Sequence, residues 1–536
     1  MSGPGGTTAY TYDLLGRQTA QTNPAGLTSS VTYDGAGNIT SYTDPGGTVT
    51  YGYDPANNLV TLAEPGGSCV GNVTDGCTTF GYNNNDQLTS EYLPNADFEN
   101  WDYDGEGRML DQVVLPTGTG IANHYDYQAS SGADTSLLQS TTNDAVPGGQ
   151  TTSYSYDSLN RLVGANTAGG TYDLYGYDAD GNMTSASANG GQSYSYSSYN
   201  GADELTGTAA TFDASGNETT LPSGAALAYD AASQTVQATP PGAPPYPLGY
   251  DGPSQDLLNT DSTNTYLANT LLGTGSVTEG GTTAYFTRTP SGALISMRIN
   301  GTSYYYITNY QGSVQLVLDP NGPVDTSYSY DAWGNLTAAS GTVGQPFGYI
   351  GAYYDASVGL YHLGARWYDP TQPRFTQLDP SAQDPGYAYA GDNPVNICDP
   401  AGTDVYFFRV KPYQAIAIGG VALTAFFVIS LRGQSLGVAG QYFKAFLGEA
   451  GAKFGVCGIV AGSLKGAECE ATIVTASFKG VGRPVPVSIT VEVVGGQKSL
   501  PKGGSSCLGN GGTSLAACVL GPFGRGDLLP GDPFIE

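Results

Sequence analysis

The chain has 536 residues and a net charge of −29, yet only 12% of its residues are charged, while glycine (78) and tyrosine (40) are abundant. A mean hydropathy of −0.20 excludes a protein with many membrane spans. An aromatic content of 11% argues against disorder, because disordered chains are poor in aromatic residues. This composition is typical of many short strands joined by tight turns.

The charge is unevenly distributed along the chain. Residues 1–402 contain seven arginines, no lysine and 39 acidic residues, whereas residues 403–536 contain eleven basic and eight acidic residues. Because this change is abrupt, it predicts a domain boundary near Gly402. An acidic surface repels phosphate, so we expect no nucleic-acid binding by the repeat region.

The first ten residues, MSGPGGTTAY, contain neither the basic nor the apolar segment of a signal peptide. They lead directly into repeat sequence. The chain is therefore expected either to be part of a longer reading frame or to leave the cell by a route that reads no such signal.

A unit with the pattern Tyr-Asp-x-x-Gly-Asn/Arg-x-Thr recurs along residues 1–345. Good copies begin at Tyr12, Tyr33, Tyr103, Tyr177 and Tyr330, and weaker copies begin at Tyr53, Tyr82, Tyr156, Tyr199, Phe212, Tyr229 and Tyr250. Several neighbouring copies are 20 to 22 residues apart, the length of two strands of about six residues with two turns. Each unit is therefore predicted to be a β-hairpin.

The residues of the unit suit a tight turn. The aspartate can accept backbone hydrogen bonds within the turn, and Gly-Asn supplies residues that tolerate positive φ. Tyrosines alternate with small residues before the turn, which places them on one face of the sheet. Because a single hairpin is only marginally stable, we expect an all-β fold of hairpins joined edge to edge.

Seven cysteines are present. Cys69 and Cys77 lie in one glycine-containing insertion, which favours a local disulfide. An even set occupies the C-terminal region: Cys457, Cys469, Cys507 and Cys518. Their spacing does not match a paired CxxC zinc site, so we expect disulfides and an oxidising compartment. Cys398 is the odd cysteine.

The tandem units resemble the RHS/YD repeats of bacterial Rhs proteins, of the BC subunits of insecticidal toxin complexes and of animal teneurins. Residues 346–402 are similar to the RHS repeat-associated core. The matching positions include Tyr354-Asp355, Arg374-Phe375 and Asp399-Pro400. The resemblance implies repeats that spiral into a hollow β-shell (residues 1–345), a core that plugs it (346–402) and a variable C-terminal domain (403–536).

Many members of this family carry a self-cleaving aspartyl protease in the core. By position, the resemblance implies Asp379 and Asp399 as the catalytic pair and cleavage between Thr403 and Asp404. Two carboxylates held close together cannot both ionise, so one serves as acid and the other as base. The alternative is structural, because Asp-Pro sequences form ordinary turns. The chain also departs from the family pattern: Pro-Ser-Ala follows Asp379, and Thr403 replaces a hydrophobic residue.

Arg366 and Arg374 have two interpretations, either orienting the two carboxylates or forming buried ion pairs of structural use only. The two histidines, His124 and His362, are distant in sequence, so a histidine-based metal site or triad is not expected. His362 is interpreted as a packed residue. The sequence predicts no metal ion and no cofactor. Any enzymatic activity of the repeats and core is expected to be the intramolecular cleavage at most.

The C-terminal region differs chemically from the repeats. Residues 414–431 contain no charged residue and meet the lower length limit of a transmembrane helix. They predict either contact with a target-cell membrane or a buried helix or strand pair in a small α+β domain. Residues 483–496 are predicted to contain a strand. The region has no histidine and no recognisable catalytic motif, so its activity is not predicted.

Two functions from different classes follow from this sequence. The first is a secreted or surface Rhs-type polymorphic toxin, whose shell encloses the C-terminal domain and releases it by self-cleavage. Its expected partners are that domain, a target-cell membrane, a secretion apparatus and an immunity protein. The second is a non-enzymatic surface, adhesion or cell-wall-associated protein. Both functions place the chain outside the cell or on its surface.

Overall fold

The computed structural model describes residues 2–403 with short gaps, together with five strands of the C-terminal region. The gaps are residues 4–5, 71–75, 116–119, 145–149, 171, 188–192, 196–197, 253–255, 263–264 and 381–385. The chain divides into two compact units, residues 1–11 with 18–413, and residues 12–17 with 414–536. The regular elements of the described residues are β-strands and two 3-10 turns, which confirms the all-β prediction.

Seventeen consecutive strands form one sheet that closes on itself, with β19 next to β3. A separate pair, β1 (Ser2–Gly3) and β2 (Gly6–Thr7), precedes this closed sheet. The strands of the closed sheet are β3 (Ala9–Tyr12), β4 (Gln18–Thr22), β5 (Thr28–Tyr33), β6 (Ile39–Asp44), β7 (Gly47–Tyr53), β8 (Leu59–Ala63), β9 (Cys77–Tyr82), β10 (Leu88–Tyr92), β11 (Phe98–Tyr103), β12 (Met109–Leu115), β13 (Ile121–Asp126), β14 (Ser140–Asn143), β15 (Gln150–Tyr156), β16 (Leu162–Thr167), β17 (Tyr172–Tyr177), β18 (Met183–Ser187) and β19 (Ser193–Ser195).

The next repeats form smaller sheets and then a ten-stranded sheet, again with sequential neighbours. The smaller sheets contain β20 (Ser198–Tyr199) and β21 (Leu205–Thr206), then β22 (Thr211–Phe212), β23 (Glu218–Thr220), β24 (Ala226–Tyr229), β25 (Thr235–Thr239) and β26 (Tyr246–Pro247). The ten-stranded sheet contains β27 (Gly249–Asp251), β28 (Leu257–Thr260), β29 (Thr265–Thr270), β30 (Gly273–Glu279), β31 (Thr282–Arg288), β32 (Leu294–Ile299), β33 (Thr302–Thr308), β34 (Val314–Leu318), β35 (Val324–Tyr330) and β36 (Leu336–Ser340).

The core is a four-stranded antiparallel sheet flanked by two 3-10 turns. Its elements are the turn Tyr349–Gly351, β37 (Tyr353–Asp355), β38 (Leu360–Leu363), β39 (Arg366–Asp369), β40 (Arg374–Phe375), the turn Ala390–Asp392 and β41 (Ile397–Cys398), which pairs with β42 (Tyr406–Phe407). The C-terminal region contains the pairs β43 (Ile416–Ile418) with β44 (Val421–Leu423), and β45 (Glu468–Val474) with β46 (Ser488–Val494).

The turn of each unit is built around its aspartate. In one well-matched unit, Asp34 Oδ1 accepts hydrogen bonds from the backbone N–H groups of Gly37 and Asn38 at 2.8 and 2.9 Å. Gly37 has a φ of +99°, which glycine adopts without steric cost. The Asn38 amide donates to Asp34 Oδ2 and to Asn57 Oδ1 in the next turn, each at 2.9 Å. Aspartate and glycine therefore shape the turn, and asparagine joins it to the next one.

In six units the tyrosine is bonded to the unit before it. Its hydroxyl donates to the backbone carbonyl of the residue that follows the Asn/Arg position of the preceding unit. These bonds are 2.6 to 2.9 Å long and join Tyr33 to Gln18, Tyr53 to Ile39, Tyr82 to Leu59, Tyr103 to Leu88, Tyr177 to Leu162 and Tyr199 to Met183. Because the acceptor is a main-chain carbonyl, the bond tolerates any side chain at that position.

One face of the closed sheet packs against the ten-stranded sheet. Apolar side chains of β5 to β12 share a buried cluster with Leu272, Ile295, Tyr305, Ile307, Leu316 and Leu318. The Tyr51 hydroxyl donates to the Arg288 carbonyl at 2.8 Å, and the Gln112 amide donates to the Thr308 carbonyl at 2.6 Å. Side chains of the two sheets are thus in contact over this cluster, and the hollow interior implied by the resemblance stays a prediction.

The predicted local disulfide is confirmed, because Cys69 and Cys77 are bonded with their Cα atoms 5.1 Å apart. Disulfides among the four C-terminal cysteines lie outside the described residues. Of residues 414–431, the structure describes only the paired strands β43 and β44. The strand predicted within residues 483–496 is present as β46. Among the residues that the structure describes, no helix has the length and hydrophobicity needed to cross a membrane.

Candidate self-cleavage site

The core attaches to the last good repeat through the contacts that join repeats to one another. The Asn335 amide donates at 2.8 Å to the carbonyl of Pro370 in the core, and the Tyr368 hydroxyl donates at 2.7 Å to the carbonyl of Trp333. Around these contacts lies a buried aromatic cluster of Tyr349, Tyr361, Tyr368, Phe375 and Tyr389. This aromatic cluster therefore gives the core a buried, apolar support beside the last good repeat.

At the centre of the candidate site is an ion pair between Arg366 and Asp399. Arg366 Nη2 lies 3.1 Å from Asp399 Oδ2, and both side chains are 0% exposed. The guanidinium carbon lies 3.5 Å from the centroid of the Phe375 ring, which adds a cation–π contact. Because the pair is removed from water and covered by an aromatic ring, its two charges attract each other more strongly than they would at the surface.

Both members of the pair also bind the backbone at the predicted domain boundary. Arg366 Nε donates to the Gly402 carbonyl at 2.6 Å, and Asp399 Oδ1 accepts from the Thr403 N–H at 3.1 Å. Gly402 has a φ of +66°, and a Cβ atom there would overlap the Leu363 carbonyl oxygen. The segment that precedes the predicted cleavage point is thus fixed; Asp404 lies outside the described residues.

Asp379 approaches the same cluster through its backbone. Its N–H donates to the Gly386 carbonyl at 3.2 Å, and Arg366 Nη1 donates to that carbonyl at 3.3 Å. The two aspartates are therefore tied to one carbonyl, Asp379 directly and Asp399 through Arg366. The Asp379 residue is 8% exposed, so it also lies in the protein interior.

Arg374, the second arginine singled out from the sequence, has different partners. Its Nη2 atom donates to the Asp203 carbonyl at 3.0 Å. Its guanidinium carbon lies 4.1 Å from the centroid of the Tyr387 ring and 5.4 Å from that of Tyr199. Arg374 therefore joins the segment around Gly386 and Tyr387 to the repeat that contains Asp203, while Arg366 makes the contacts with Asp399.

Sequence reasoning missed a buried carboxyl group beside the core, that of Glu218. Burial raises the pKa of Glu218 to about 8, and the Gln372 amide donates to Glu218 Oε1 at 3.3 Å and to Asp369 Oδ2 at 2.8 Å. A signal for it existed in the sequence. Glu218 follows Asn217 in a repeat unit, at a position that is often apolar in the other units.

The two histidines have partners other than the Arg366–Asp399 pair. His362 packs 5.1 Å from the ring of Trp367 and 5.7 Å from that of Tyr250, and burial lowers the pKa of His362 to about 3. His124 lies between two carboxylates on the closed sheet, Asp111 and Asp144. In the part of the chain that the structure describes, no group of three or more candidate ligands is arranged to hold a metal ion.

Comparisons with known proteins agree with this architecture. The Teneurin YD-shell family matches residues 140–386, and the RHS Repeat family matches residues 33–68. The chain is 32% identical over 269 residues to the tRNA3(Ser)-specific nuclease WapA of Bacillus spizizenii, and 30% identical over 271 residues to the tRNA nuclease WapA of Bacillus subtilis. Each alignment covers 46% of this chain and 12% of the relative.

A solved structure shares the fold. The crystal structure of TcdB2-TccC3 matches with a TM-score of 0.55 and 20% identity, covering 74% of this chain and 24% of that chain. The matches fall on the repeats and the core, where tyrosine hydroxyls and turn aspartates make the contacts described above. Residues 33–68 and 140–386 of this chain are therefore repeats of the RHS/YD type.

Proposed function

We propose that this chain is the scaffold of a Rhs-type toxin, in which the YD shell (residues 1–345) and the core (346–402) carry residues 403–536 as an effector. The core frees this effector by cleaving its own chain. The observation that carries the proposal is the buried Arg366–Asp399 pair, which binds the backbone where the composition changes. A buried ion pair is a poor source of stability, so its position favours a functional use.

The proposed chemistry uses the two aspartates that the family resemblance implies. Asp399, which is paired with the Arg366 guanidinium, acts as the base that activates water. Asp379 supplies a proton to the carbonyl oxygen of Thr403. Water attacks that carbonyl carbon, the Thr403–Asp404 bond breaks, and the new amine leaves with the effector.

The test is the size of the purified chain on a denaturing gel and by intact-mass measurement. We expect two fragments from the wild-type chain and one intact chain from Asp379→Asn or Asp399→Asn. A matched control is Asp34→Asn, which alters the same kind of turn carboxylate in a repeat. A wild-type chain that stays intact under native conditions contradicts the proposal, provided that circular dichroism confirms a folded protein.

The proposed partners follow from the position of the effector. The shell encloses residues 403–536, and residues 414–431 contact a target-cell membrane. A secretion apparatus and an immunity protein are the further partners, and the protein acts at an extracellular or surface location. The WapA relatives are named as nucleases that act on tRNA, and this chain spans 12% of their length. Enclosure predicts that a protease spares the effector in folded protein and digests it after denaturation.

A second candidate function is that of an inert surface or adhesion scaffold. One observation favours it: Asp399 accepts from the N–H four residues later, as turn aspartates such as Asp34 do. In that case Asp399 only shapes a turn. An intact wild-type chain that is harmless when produced in a bacterial host supports this second function, whereas growth arrest that disappears when the chain ends at residue 402 supports the first.

A further inference from the structure

We propose that Glu218 is a protonated carboxylic acid paired with the side-chain amide of Gln372, and that this pair joins a repeat to the core only while the proton is bound. The inference concerns the junction between the repeats and the core, and it does not rest on the proposed self-cleavage. It starts from two buried oxygen atoms, Glu218 Oε2 and Gln372 Oε1, which have no hydrogen-bond partner among the residues that the structure describes.

The two side chains already share one hydrogen bond. Gln372 Nε2 donates to Glu218 Oε1 at 3.3 Å, and the two residues are 3% and 0% exposed, respectively. A carboxylic acid and a primary amide can form a ring of two hydrogen bonds, because the acid O–H donates to the oxygen of the amide that binds it. A proton on Glu218 Oε2 therefore gives both unpaired oxygens a partner, whereas an ionised carboxylate leaves both without a donor.

The neighbouring carboxyl group of Asp369 has a different set of partners. Its Oδ1 atom accepts from the backbone N–H and the hydroxyl of Thr371 at 2.8 and 2.6 Å. Its Oδ2 atom accepts from Gln372 Nε2 at 2.8 Å. Three donors stabilise the ionised form of a carboxyl group, and Glu218 has only the longer bond to the shared amide. Of the two carboxyl groups joined by Gln372, Glu218 is thus the one that holds the proton.

The charged and titratable groups around Glu218 come from several elements. Burial raises the pKa of Glu218 to about 8, while Arg374 of β40 lowers it and Asp369 of β39 raises it further. The Arg374 guanidinium is directed to a backbone carbonyl of another repeat and to the Tyr387 ring, so it leaves Glu218 without an ion pair. Tyr229 of β24 and Tyr387 also interact with the charge of Glu218, and burial raises the pKa of both phenols, which stay neutral.

The acid–amide pair of Glu218 and Gln372 lies where a repeat unit meets the core. The Glu218 N–H donates to the Thr376 carbonyl at 2.8 Å, and the Tyr387 hydroxyl donates to the Gly216 carbonyl at 2.6 Å. Loss of the proton leaves a buried charge without a donor between these bonds, which destabilises the junction. The stabilisation is complete below the ordinary pKa of 4.5 and is lost as the pH rises through about 8.

The test is hydrogen exchange of the full chain, measured by mass spectrometry between about pH 6 and about pH 8. Peptides from residues 212–220 and 366–377 report on the two sides of the junction, and their protection is expressed relative to the intrinsic exchange rate at each pH. Glu218→Gln replaces the acid with an amide that can donate to Gln372 at every pH. Glu106→Gln is the matched control, because the Glu106 side chain is 63% exposed.

We expect protection in both peptides of the wild-type chain and of the control to fall by up to about tenfold per pH unit. Glu218→Gln should abolish this fall. The infrared spectrum of the wild-type chain minus that of Glu218→Gln should show a protonated carboxyl band at about pH 6. Constant wild-type protection, an undiminished fall in Glu218→Gln, or a difference spectrum with carboxylate bands only overturns the inference. Each of these results leaves the proposed self-cleavage standing, because that reaction is followed by chain size.

Discussion

The Asn335 side-chain amide lies 2.8 Å from the Pro370 carbonyl oxygen, and this is one of several hydrogen bonds that join the repeat region to the core. Asn38 and Asn182 also donate to the following turn within the repeats, each at 2.9 Å, where the acceptors are the side-chain oxygens of Asn57 and Asp203. The asparagine of the last good repeat therefore contacts the core much as the asparagines of earlier repeats contact the next turn.

Removing this junction should destabilise the core. Asn335→Ala deletes the bond to Pro370 and leaves a half-buried carbonyl unpaired, at a cost of about 1 kcal/mol. Urea denaturation should reveal the loss. Asn321→Ala serves as the control, since Asn321 is exposed and bonds to Asp319 in its own turn. Equal losses in the two variants would contradict a special role for Asn335.

A buried pair of glutamates should make the stability of the closed sheet depend on pH. Glu91 and Glu99 are cross-strand partners on a buried face; burial raises the pKa of Glu99 to about 8, and burial and the neighbouring Glu99 raise the pKa of Glu91. A raised folded-state pKa means that the stabilisation is complete below the ordinary value of 4.5 and is lost as the pH rises through about 8.

Glu99→Gln should therefore flatten the decline in the free energy of unfolding between about pH 4.5 and about pH 8. Denaturant titrations across that range measure the effect. Glu106→Gln is the control because the Glu106 side chain is 63% exposed. The explanation is wrong if both variants retain the full decline.

His124 should stabilise the closed sheet at acid pH. Asp111 first and then Asp144 raise the pKa of His124, so its contribution is complete below the ordinary value of 6.5 and is lost as the pH rises through the higher folded-state value. His124→Gln is expected to lower the melting temperature at pH 5.5 and to leave it unchanged at pH 9. High salt should reduce the difference, because the pair is exposed; a salt-independent loss at both pH values would contradict this.

The Cys69–Cys77 disulfide should stabilise the fold by restricting the unfolded chain. Closing a loop with a sequence separation of 8 is worth about 2 to 3 kcal/mol in the chain-entropy description. The double variant Cys69→Ser/Cys77→Ser should show this loss in denaturant titrations, and a reductant should remove the difference in stability between the two chains. Cys398→Ser controls for general cysteine effects, since Cys398 is a free, half-buried cysteine.

The hairpin fold could be predicted from the sequence because its determinants are local. Tyr, Asp, Gly and Asn recur at a fixed spacing, and the Asp34 turn uses the last three of them within five residues. The acceptors of the tyrosine hydroxyls could not be predicted, since every residue has a main-chain carbonyl and the sequence does not show that the one of Ile39 is used.

The candidate site was predictable in its residues and not in its contacts. The family resemblance implies Asp379 and Asp399 by position, but Arg366 reaches Asp399 across 33 residues and Gly402 across 36 residues. Such contacts depend on how β38, β39 and the closing segment fold together. The close backbone contacts at Gly364 and Gly402 could not be predicted either, because glycine is common throughout this chain and does not mark these two positions.

The tyrosine-to-carbonyl bonds point in one direction only, from each unit back to the one before it. The carbonyl group of one hairpin therefore has no tyrosine partner until the next hairpin has been made, and it needs no contact from any later hairpin. During synthesis from the N-terminus, each new hairpin can supply the tyrosine that completes the hydrogen bonds of the hairpin before it. The order in which the chain is made then matches the order in which its bonds become available.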